Sequence, residues 1–270
     1  MRPARENRLP PFVPVRALAP TVLTVLALCS GVTSMRYAFQ ERWEAAVVAI
    51  LLASLFDALD GRVARLIKGT TKFGAELDSL SDVICFGVAP ALVLYLWTLH
   101  DVRGIGWAVV LLYCVCCALR LARFNIMDQN AGEDGTIHRF FMGMPAPAAA
   151  GLAMAPLALT FYLQDELFRQ PVACTIYLGL IALMMISRVP TFSAKYIRIS
   201  RHYVMPILLG VGVLVALLTS YFWATYVGLA AVYAISLPVG VVTARRDLQR
   251  KSAHLDAADE GLDEDDGPHE

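Results

Sequence analysis

Long apolar runs separated by short polar connections dominate this sequence of 270 residues and limit the folds open to it. The runs are roughly 15 to 22 residues long, close to the length that an α-helix needs to cross about 30 Å of hydrocarbon. Only 17% of the residues are charged, whereas about a quarter are charged in a soluble domain. We therefore predict an all-α polytopic membrane protein. A soluble α/β enzyme does not fit, because its strands would be shorter and separated by amphipathic helices.

About eight transmembrane helices are predicted from the apolar runs. The last two predicted spans are separated by almost nothing and should form a tight helical hairpin. The eight ranges are 17–35, 43–60, 80–98, 105–122, 143–163, 171–187, 203–221 and 223–243.

The distribution of Lys and Arg supports this number of spans. With eight spans, 19 of the 23 basic residues fall on one side of the membrane and four, Arg36, Arg42, Arg103 and Arg169, fall on the other. With a wrong number of spans, Lys and Arg would be spread over both sides of the membrane. Because basic residues concentrate on the cytoplasmic side, both termini are predicted to be cytoplasmic.

Two polar segments flank the predicted membrane domain, which covers residues 17–245. Residues 1–16 form a basic, proline-rich arm, and residues 246–270 form a cytoplasmic tail. Residues 252–270 hold eight of the 23 acids and no Lys or Arg, which is typical of a disordered, solvated segment. No nucleic-acid partner is expected.

Four aspartates stand where two neighbouring apolar runs meet, in LFDALDGRVARLIKGTTKFGAELDSLSD, residues 55–82. Asp57 and Asp60 are three residues apart, and Asp78 and Asp82 are four apart. Each pair therefore shares one face of its helix. If the two helices face each other, four carboxylates converge at the cytoplasmic edge of the membrane.

Clustered carboxylates are stable only if they take up protons, pair with cations or bind metal. No His or Cys accompanies them in this stretch, so Mg²⁺ or Mn²⁺ is favoured over zinc. Two divalent cations would cancel four negative charges, and a two-metal site suits displacement at a phosphoryl group. Gly61 and Ala64 share a face with the first pair and leave room for a bulky ligand.

Three other interpretations of the aspartates were weighed. Acids at a helix end can simply pair with nearby Arg and Lys, but four acids on two faces favour a functional site. A divalent-cation carrier or channel would carry acids deep in several spans, whereas these acids cluster at one edge. A scaffold without activity would not need the fixed spacing.

The residues also resemble a known family. The pattern Asp57-x2-Asp60-Gly61-x2-Ala64-Arg65-x8-Gly74-x3-Asp78-x3-Asp82 matches every position of the CDP-alcohol phosphatidyltransferase signature. The resemblance implies that Asp57, Asp60 and Asp78 hold two divalent cations and that Asp82 is both ligand and base. It also implies that a cytidine diphosphate group binds beside Asp60, Gly61, Ala64, Arg65 and Gly74, and that the protein is a homodimer.

Further stretches narrow the likeness to the bacterial subgroup that transfers a phosphatidyl group from CDP-diacylglycerol to L-serine, releasing CMP. These stretches are SDVICFGVAPA (81–91), ALRLARFN (118–125) and FFMGMPAPAAAG (140–151). There are two departures. Ala19-Pro20-Thr21 stands where the subgroup usually has a Pro-Asn pair, and Ile84 and Cys85 stand where a polar residue is expected.

The acceptor alcohol depends on this likeness alone. Arg120, Arg123 and Asn125 are the candidates for binding the serine carboxylate or a phosphate, since the guanidinium fork suits either group. Choline, glycerol 3-phosphate and inositol phosphate remain alternative acceptors. The resemblance places the protein in the bacterial inner membrane with membrane lipid around it, and the distribution of Lys and Arg predicts that its active site faces the cytoplasm.

Overall fold

The computed structural model describes residues 18–67, 72–134, 141–142, 144–187, 190–191 and 204–237. The predicted basic arm and acidic tail lie outside these residues. The described part consists of α-helices, short turns of other helix types and one pair of two-residue strands, β1 (Phe141–Met142) and β2 (Pro190–Thr191), which run antiparallel.

We label the helices of the described residues α1 to α10 in chain order. A π-helical turn, Val83–Val88, joins α3 to α4, and a 3-10 turn, Leu99–Val102, precedes α5. The helices are α1 (Ala19–Phe39), α2 (Trp43–Ile67), α3 (Lys72–Asp82), α4 (Ala89–Trp97), α5 (Arg103–Asp134), α6 (Ala146–Ala153), α7 (Ala155–Leu163), α8 (Pro171–Ile186), α9 (Val204–Ser220) and α10 (Phe222–Leu237).

The helices confirm the predicted class, an all-α polytopic membrane protein. Four stretches are long and apolar enough to cross a bilayer, namely Ala19–Phe39, Phe73–Trp97, Leu99–Met127 and Ala146–Leu163. Helices α8 and α10 and much of α9 are shorter and apolar. Large apolar side chains on the outer faces are exposed, including Leu209 of α9, and such faces suit contact with lipid.

The predicted spans were too short around the aspartates. Helix α2 continues to Ile67, past the predicted end at residue 60, and α3 already begins at Lys72 rather than at residue 80. Hydropathy marks only the apolar part of a helix, whereas backbone hydrogen bonding carries these helices on through polar residues. All four aspartates therefore lie within helices. The predicted end of the last span, residues 238–243, lies outside the described residues.

The predicted span 143–163 is divided into α6 and α7 by Pro156. Proline has no backbone N–H, so the Leu152 carbonyl, four residues earlier, loses its helical donor. The Tyr177 hydroxyl of α8 donates to this carbonyl at 2.8 Å. At the adjacent residue, the Tyr226 hydroxyl of α10 donates to the Gly151 carbonyl at 2.5 Å. The carbonyl groups at the end of α6 thus bind tyrosines of two other helices, α8 and α10.

Two glycines permit close packing of α1, the π-helical turn and α5. A Cβ added to Gly31 would lie 2.5 Å from the Cys85 Sγ, and one added to Gly87 would lie 3.2 Å from the Cys117 Cβ. Cys85 and Cys117 are buried. We call these four residues the glycine–cysteine seam. Small residues at such contacts let helix backbones approach closely, as is usual within membranes.

Replacing Tyr177 with Phe should lower the stability of the protein by about 1–3 kcal/mol, because the buried Leu152 carbonyl loses the hydroxyl that replaces its missing helical donor. The measurement is thermal unfolding of the purified protein in detergent. Tyr162→Phe is the matched control, since Tyr162 is 51% exposed. Equal melting temperatures for the two variants would contradict the assignment.

Candidate active site

The C-terminal half of α2 and helix α3 bring the four predicted aspartates together. Asp57 and Asp60 lie on α2, and Asp78 and Asp82 lie on α3. One carboxylate oxygen from each of Asp57, Asp60 and Asp78 lies within 4.8 Å of the others. The predicted convergence of the two helix faces is thus present in the structure.

Asp82 joins this cluster through Asp57, since the carboxyl groups of the two residues are hydrogen-bonded to each other. Asp60 is 4% exposed, and the other three side chains are half-buried. Asp82 therefore contacts the cluster that the other three aspartates form.

The donor set fits a hard divalent cation. Three carboxylates offer oxygen ligands within a space that one ion can span, and oxygen is the ligand that Mg²⁺ and Mn²⁺ prefer. Carboxylates held this close repel one another unless cations or protons intervene. Asp57, Asp60 and Asp78 are the residues that would hold such ions. Their identity as ligands, and that of Asp82, remains a prediction.

Thr24 of α1 supports the most buried of these acids. Its hydroxyl donates to the Asp60 Oδ2 at 2.8 Å and also lies 3.1 Å from the Pro20 carbonyl. Thr24 is 4% exposed, so this contact is shielded from solvent. The departure at Thr21 drew attention to this segment, but the sequence did not reveal Thr24. A threonine one helical turn after Pro20 carries no signal of its own in an apolar helix.

The small residues of the signature border open space. Among the described residues, no atom outside its own turn of helix lies within 4 Å of a Cβ added to Gly61, and Ala64 is half-buried on the next turn. Arg65 is exposed, and its Nε donates to the Gly61 carbonyl at 2.9 Å. Gly74 lies in the first turn of α3. These positions leave room beside the carboxylates for a ligand, and their contact with a nucleotide stays a prediction.

The three candidates on α5 have different surroundings. Arg120 is half-buried and interacts electrostatically with Asp82. The Asn125 Nδ2 donates to the Ser79 Oγ at 2.8 Å, which ties α5 to α3 beside Asp78. Arg123 is exposed. Arg120 is thus near enough to Asp82 to interact with it electrostatically, while Asn125 links α5 to α3.

The π-helical turn directly follows Asp82, and π-turns occur often at functional sites. Within it, the Cys85 thiol donates to the Ala27 carbonyl of α1 at 3.3 Å and is buried. This explains why a polar residue is not needed there. Cys85 packs against Gly31 and satisfies its weak donor within the protein.

The comparisons with known proteins agree with this geometry. Residues 17–187 match the CDP-alcohol phosphatidyltransferase family, and residues 202–238 match a second family description, CDP-alcohol phosphatidyltransferase 2. The first match covers more than half of the chain. The protein therefore belongs to the CDP-alcohol phosphatidyltransferase family.

Curated relatives are similar over much of the chain. A CDP-diacylglycerol–serine O-phosphatidyltransferase of Mycobacterium leprae is 39% identical over 69% of this chain and 62% of its own length. One of Helicobacter pylori is 41% identical over 51% of this chain and 56% of its own. An archaetidylserine synthase of Methanothermobacter thermautotrophicus is 42% identical over 48% of this chain and 54% of its own. The chain thus aligns with less than two thirds of the length of each.

Replacing Thr24 with Val should weaken Mn²⁺ binding about tenfold, because Asp60 loses the hydroxyl that orients it. Thr24→Ser, which keeps the hydroxyl, should bind almost as wild type does. The measurement is a Mn²⁺ titration of detergent-solubilised protein followed by electron paramagnetic resonance. Thr33→Val is the matched control, since the Thr33 hydroxyl donates only to its own helix, at the Cys29 carbonyl. Equal affinities for Thr24→Val and Thr33→Val would refute the role of Thr24.

Proposed function

We propose that this protein transfers the phosphatidyl group of CDP-diacylglycerol to L-serine, giving phosphatidylserine and CMP. The observation that carries the proposal is the convergence of Asp57, Asp60, Asp78 and Asp82, the four acids of the family signature. Family membership supports the cytidine-diphosphate donor. Serine as the acceptor is supported by the relatives, whose names all contain a serine product or substrate.

The reaction needs one proton acceptor and one leaving group. The Asp82 carboxylate takes the proton from the serine hydroxyl, and the serine oxygen forms a bond to the phosphorus that carries the diacylglycerol. The bond from this phosphorus to the oxygen of the CMP phosphate breaks, and CMP leaves with the electron pair. Arg120, close to Asp82, is placed to orient an anionic group of the substrates.

Two divalent cations, Mg²⁺ or Mn²⁺, when held by the aspartates, supply positive charge that binds the diphosphate and stabilises the charge that develops on it. Asp57, Asp60 and Asp78 would hold these ions, with Asp82 as a further ligand. Thr24 keeps the Asp60 carboxylate oriented from α1. Gly61 and Ala64 admit the nucleotide, and Arg65 and Gly74 border it.

An apolar groove of about 460 Å³ supports a lipid substrate. It lies between α2, α6, α9 and α10, and Leu55 of its lining stands two residues before Asp57. A groove of this composition suits a hydrocarbon chain whose head group reaches the carboxylates. The cation-carrier alternative finds no support in the described helices α6–α10, which contain no acidic residue.

The test is CMP release from CDP-diacylglycerol by the purified, metal-loaded protein, with serine, choline, glycerol 3-phosphate or inositol phosphate as the acceptor. Release that depends on serine, with phosphatidylserine as the product, is expected. Release that depends on another acceptor would be consistent with the proposed donor and metal site and would exclude serine as the acceptor.

Replacing Asp57, Asp78 or Asp82 with Ala should lower the rate of CMP release by at least about a hundredfold. Each change removes a predicted metal ligand or the predicted base. The amount of protein in the membrane should not fall, because the change also removes a repelling charge. Glu76→Ala is the matched control, since Glu76 is an exposed acid on α3. An active Asp82→Ala variant would exclude the proposed base.

We also propose that both termini and the active site face the cytoplasm of a bacterial cell and that the protein forms a homodimer. The sidedness follows from the unequal distribution of Lys and Arg. Homodimer formation rests on the resemblance alone, and the mass of the purified protein in detergent measures it.

Alkaline phosphatase fused after Glu41, in the turn between α1 and α2, should be exported and active. The same reporter fused after Ile67, at the end of α2, should stay inside and be inactive. Enzyme activity in intact bacteria is the measurement, with the level of each fusion protein as its control. The reverse pattern would place the aspartates on the outer side of the membrane.

A further inference from the structure

Two buried hydrogen-bond donors have no partner among the described residues. They are the Arg120 Nε of α5 and the Tyr233 hydroxyl of α10. Buried donors are nearly always paired in folded proteins, because an unpaired one loses its hydrogen bonds to water without replacement. A donor left in this state next to an active site suggests that its acceptor arrives with a ligand.

The two donors belong to one small region. Tyr233 and Arg120 lie close enough to interact electrostatically, and Arg120 interacts in the same way with Asp82. Three helices, α3, α5 and α10, therefore contribute a carboxyl, a guanidinium and a phenol to one place. Neither donor is satisfied by the other.

The ring of Tyr233 lies at the active-site end of the apolar groove. The groove lining extends on α10 from Phe222 to Tyr233 and on α2 from Val48 to Leu55. Asp57 follows Leu55 by two residues, so the aspartates stand beyond the same end. The hydroxyl of Tyr233 is thus located between a surface suited to hydrocarbon and the carboxylate cluster.

We propose that Arg120 and Tyr233 together bind an anionic oxygen of a substrate, which makes Tyr233 a recognition residue. This inference rests on the proposed function. A guanidinium N–H and a phenol O–H both donate, and a carboxylate or phosphate oxygen accepts from both at once. In the proposed reaction the oxygen belongs either to the serine carboxylate or to the lipid phosphate. Both share this chemistry, and kinetics separate them.

The test compares Tyr233→Phe with Tyr177→Phe. Both changes remove one hydroxyl and keep the ring, but the Tyr177 hydroxyl already donates to the Leu152 carbonyl. A purely structural role predicts that Tyr233→Phe leaves the enzyme unchanged, since its hydroxyl has no protein acceptor among the described residues. Recognition predicts that Tyr233→Phe changes a KM without changing the melting temperature, and that Tyr177→Phe does the reverse.

Tyr233→Phe should raise one KM about tenfold, the effect of one hydrogen bond to a charged group, while its melting temperature stays at the wild-type value. Tyr177→Phe should lower the melting temperature and leave both KM values unchanged. A higher KM for serine alone assigns the pair to the carboxylate, and a higher KM for CDP-diacylglycerol alone assigns it to the lipid phosphate. KM values for both substrates within twofold of wild type would overturn the proposal.

Arg120→Lys provides a second arm, because it keeps the positive charge and removes the Nε donor. It should raise the same KM as Tyr233→Phe. The KM of the double variant should then rise by less than the product of the two single-variant rises, as expected for two residues that bind one group. A rise in KM equal to that product would mean that the two residues act independently, and it would refute the shared site.

Failure of the proposed function gives a different result from failure of this inference. A wild-type protein that releases CMP with another acceptor but not with serine refutes the function, and the KM for that acceptor then tests Tyr233. If no acceptor supports turnover, the rise in melting temperature caused by CDP-diacylglycerol, and separately by serine, is compared between wild type and Tyr233→Phe. Equal rises for both ligands overturn the inference.

Discussion

The mutual repulsion of four carboxylates is the constraint on which this structure depends. Asp57 and Asp60 are carried on α2 and Asp78 and Asp82 on α3, and both helices pack against α1, so the fold holds the four side chains together against their charge. Such a cluster is tolerable only when protons or cations reduce that charge. The surrounding groups follow from this need: a threonine hydroxyl donates to Asp60, and a guanidinium lies near Asp82.

Much of the fold and part of the site could be read from the sequence. The apolar runs predicted helices at every described span, because membrane helices must satisfy their backbone internally and bury apolar side chains. The spacing of Asp57 with Asp60 and of Asp78 with Asp82 placed each pair on one helix face, and the structure brings the two faces together. Local periodicity was sufficient for both results.

Contacts between distant segments could not be read in this way. Thr24 reaches Asp60 across 36 positions of sequence, and nothing in an apolar helix distinguishes that threonine from Thr33. Tyr233 likewise stands in an ordinary apolar stretch, and only the packing of α10 near α5 reveals its unpaired hydroxyl. The division of the fifth span was visible as Pro156, but the tyrosine that takes the released carbonyl was not.

The glycine–cysteine seam sets the distance between α1 and α5, the two helices that carry Thr24 and Arg120. Thr24, which holds Asp60, lies on α1 two turns before Gly31, and Arg120 lies on α5 one turn after Cys117. Between these two residues lie two close contacts of a glycine with a cysteine side chain, Gly31 with Cys85 and Gly87 with Cys117. The spacing of α1, the π-helical turn and α5 in this layer therefore depends on the absence of a side chain at Gly31 and Gly87. A methyl group added at Gly31 would lie 2.5 Å from the Cys85 Sγ, so it would force these segments apart and would move Thr24 away from Arg120 without touching either residue.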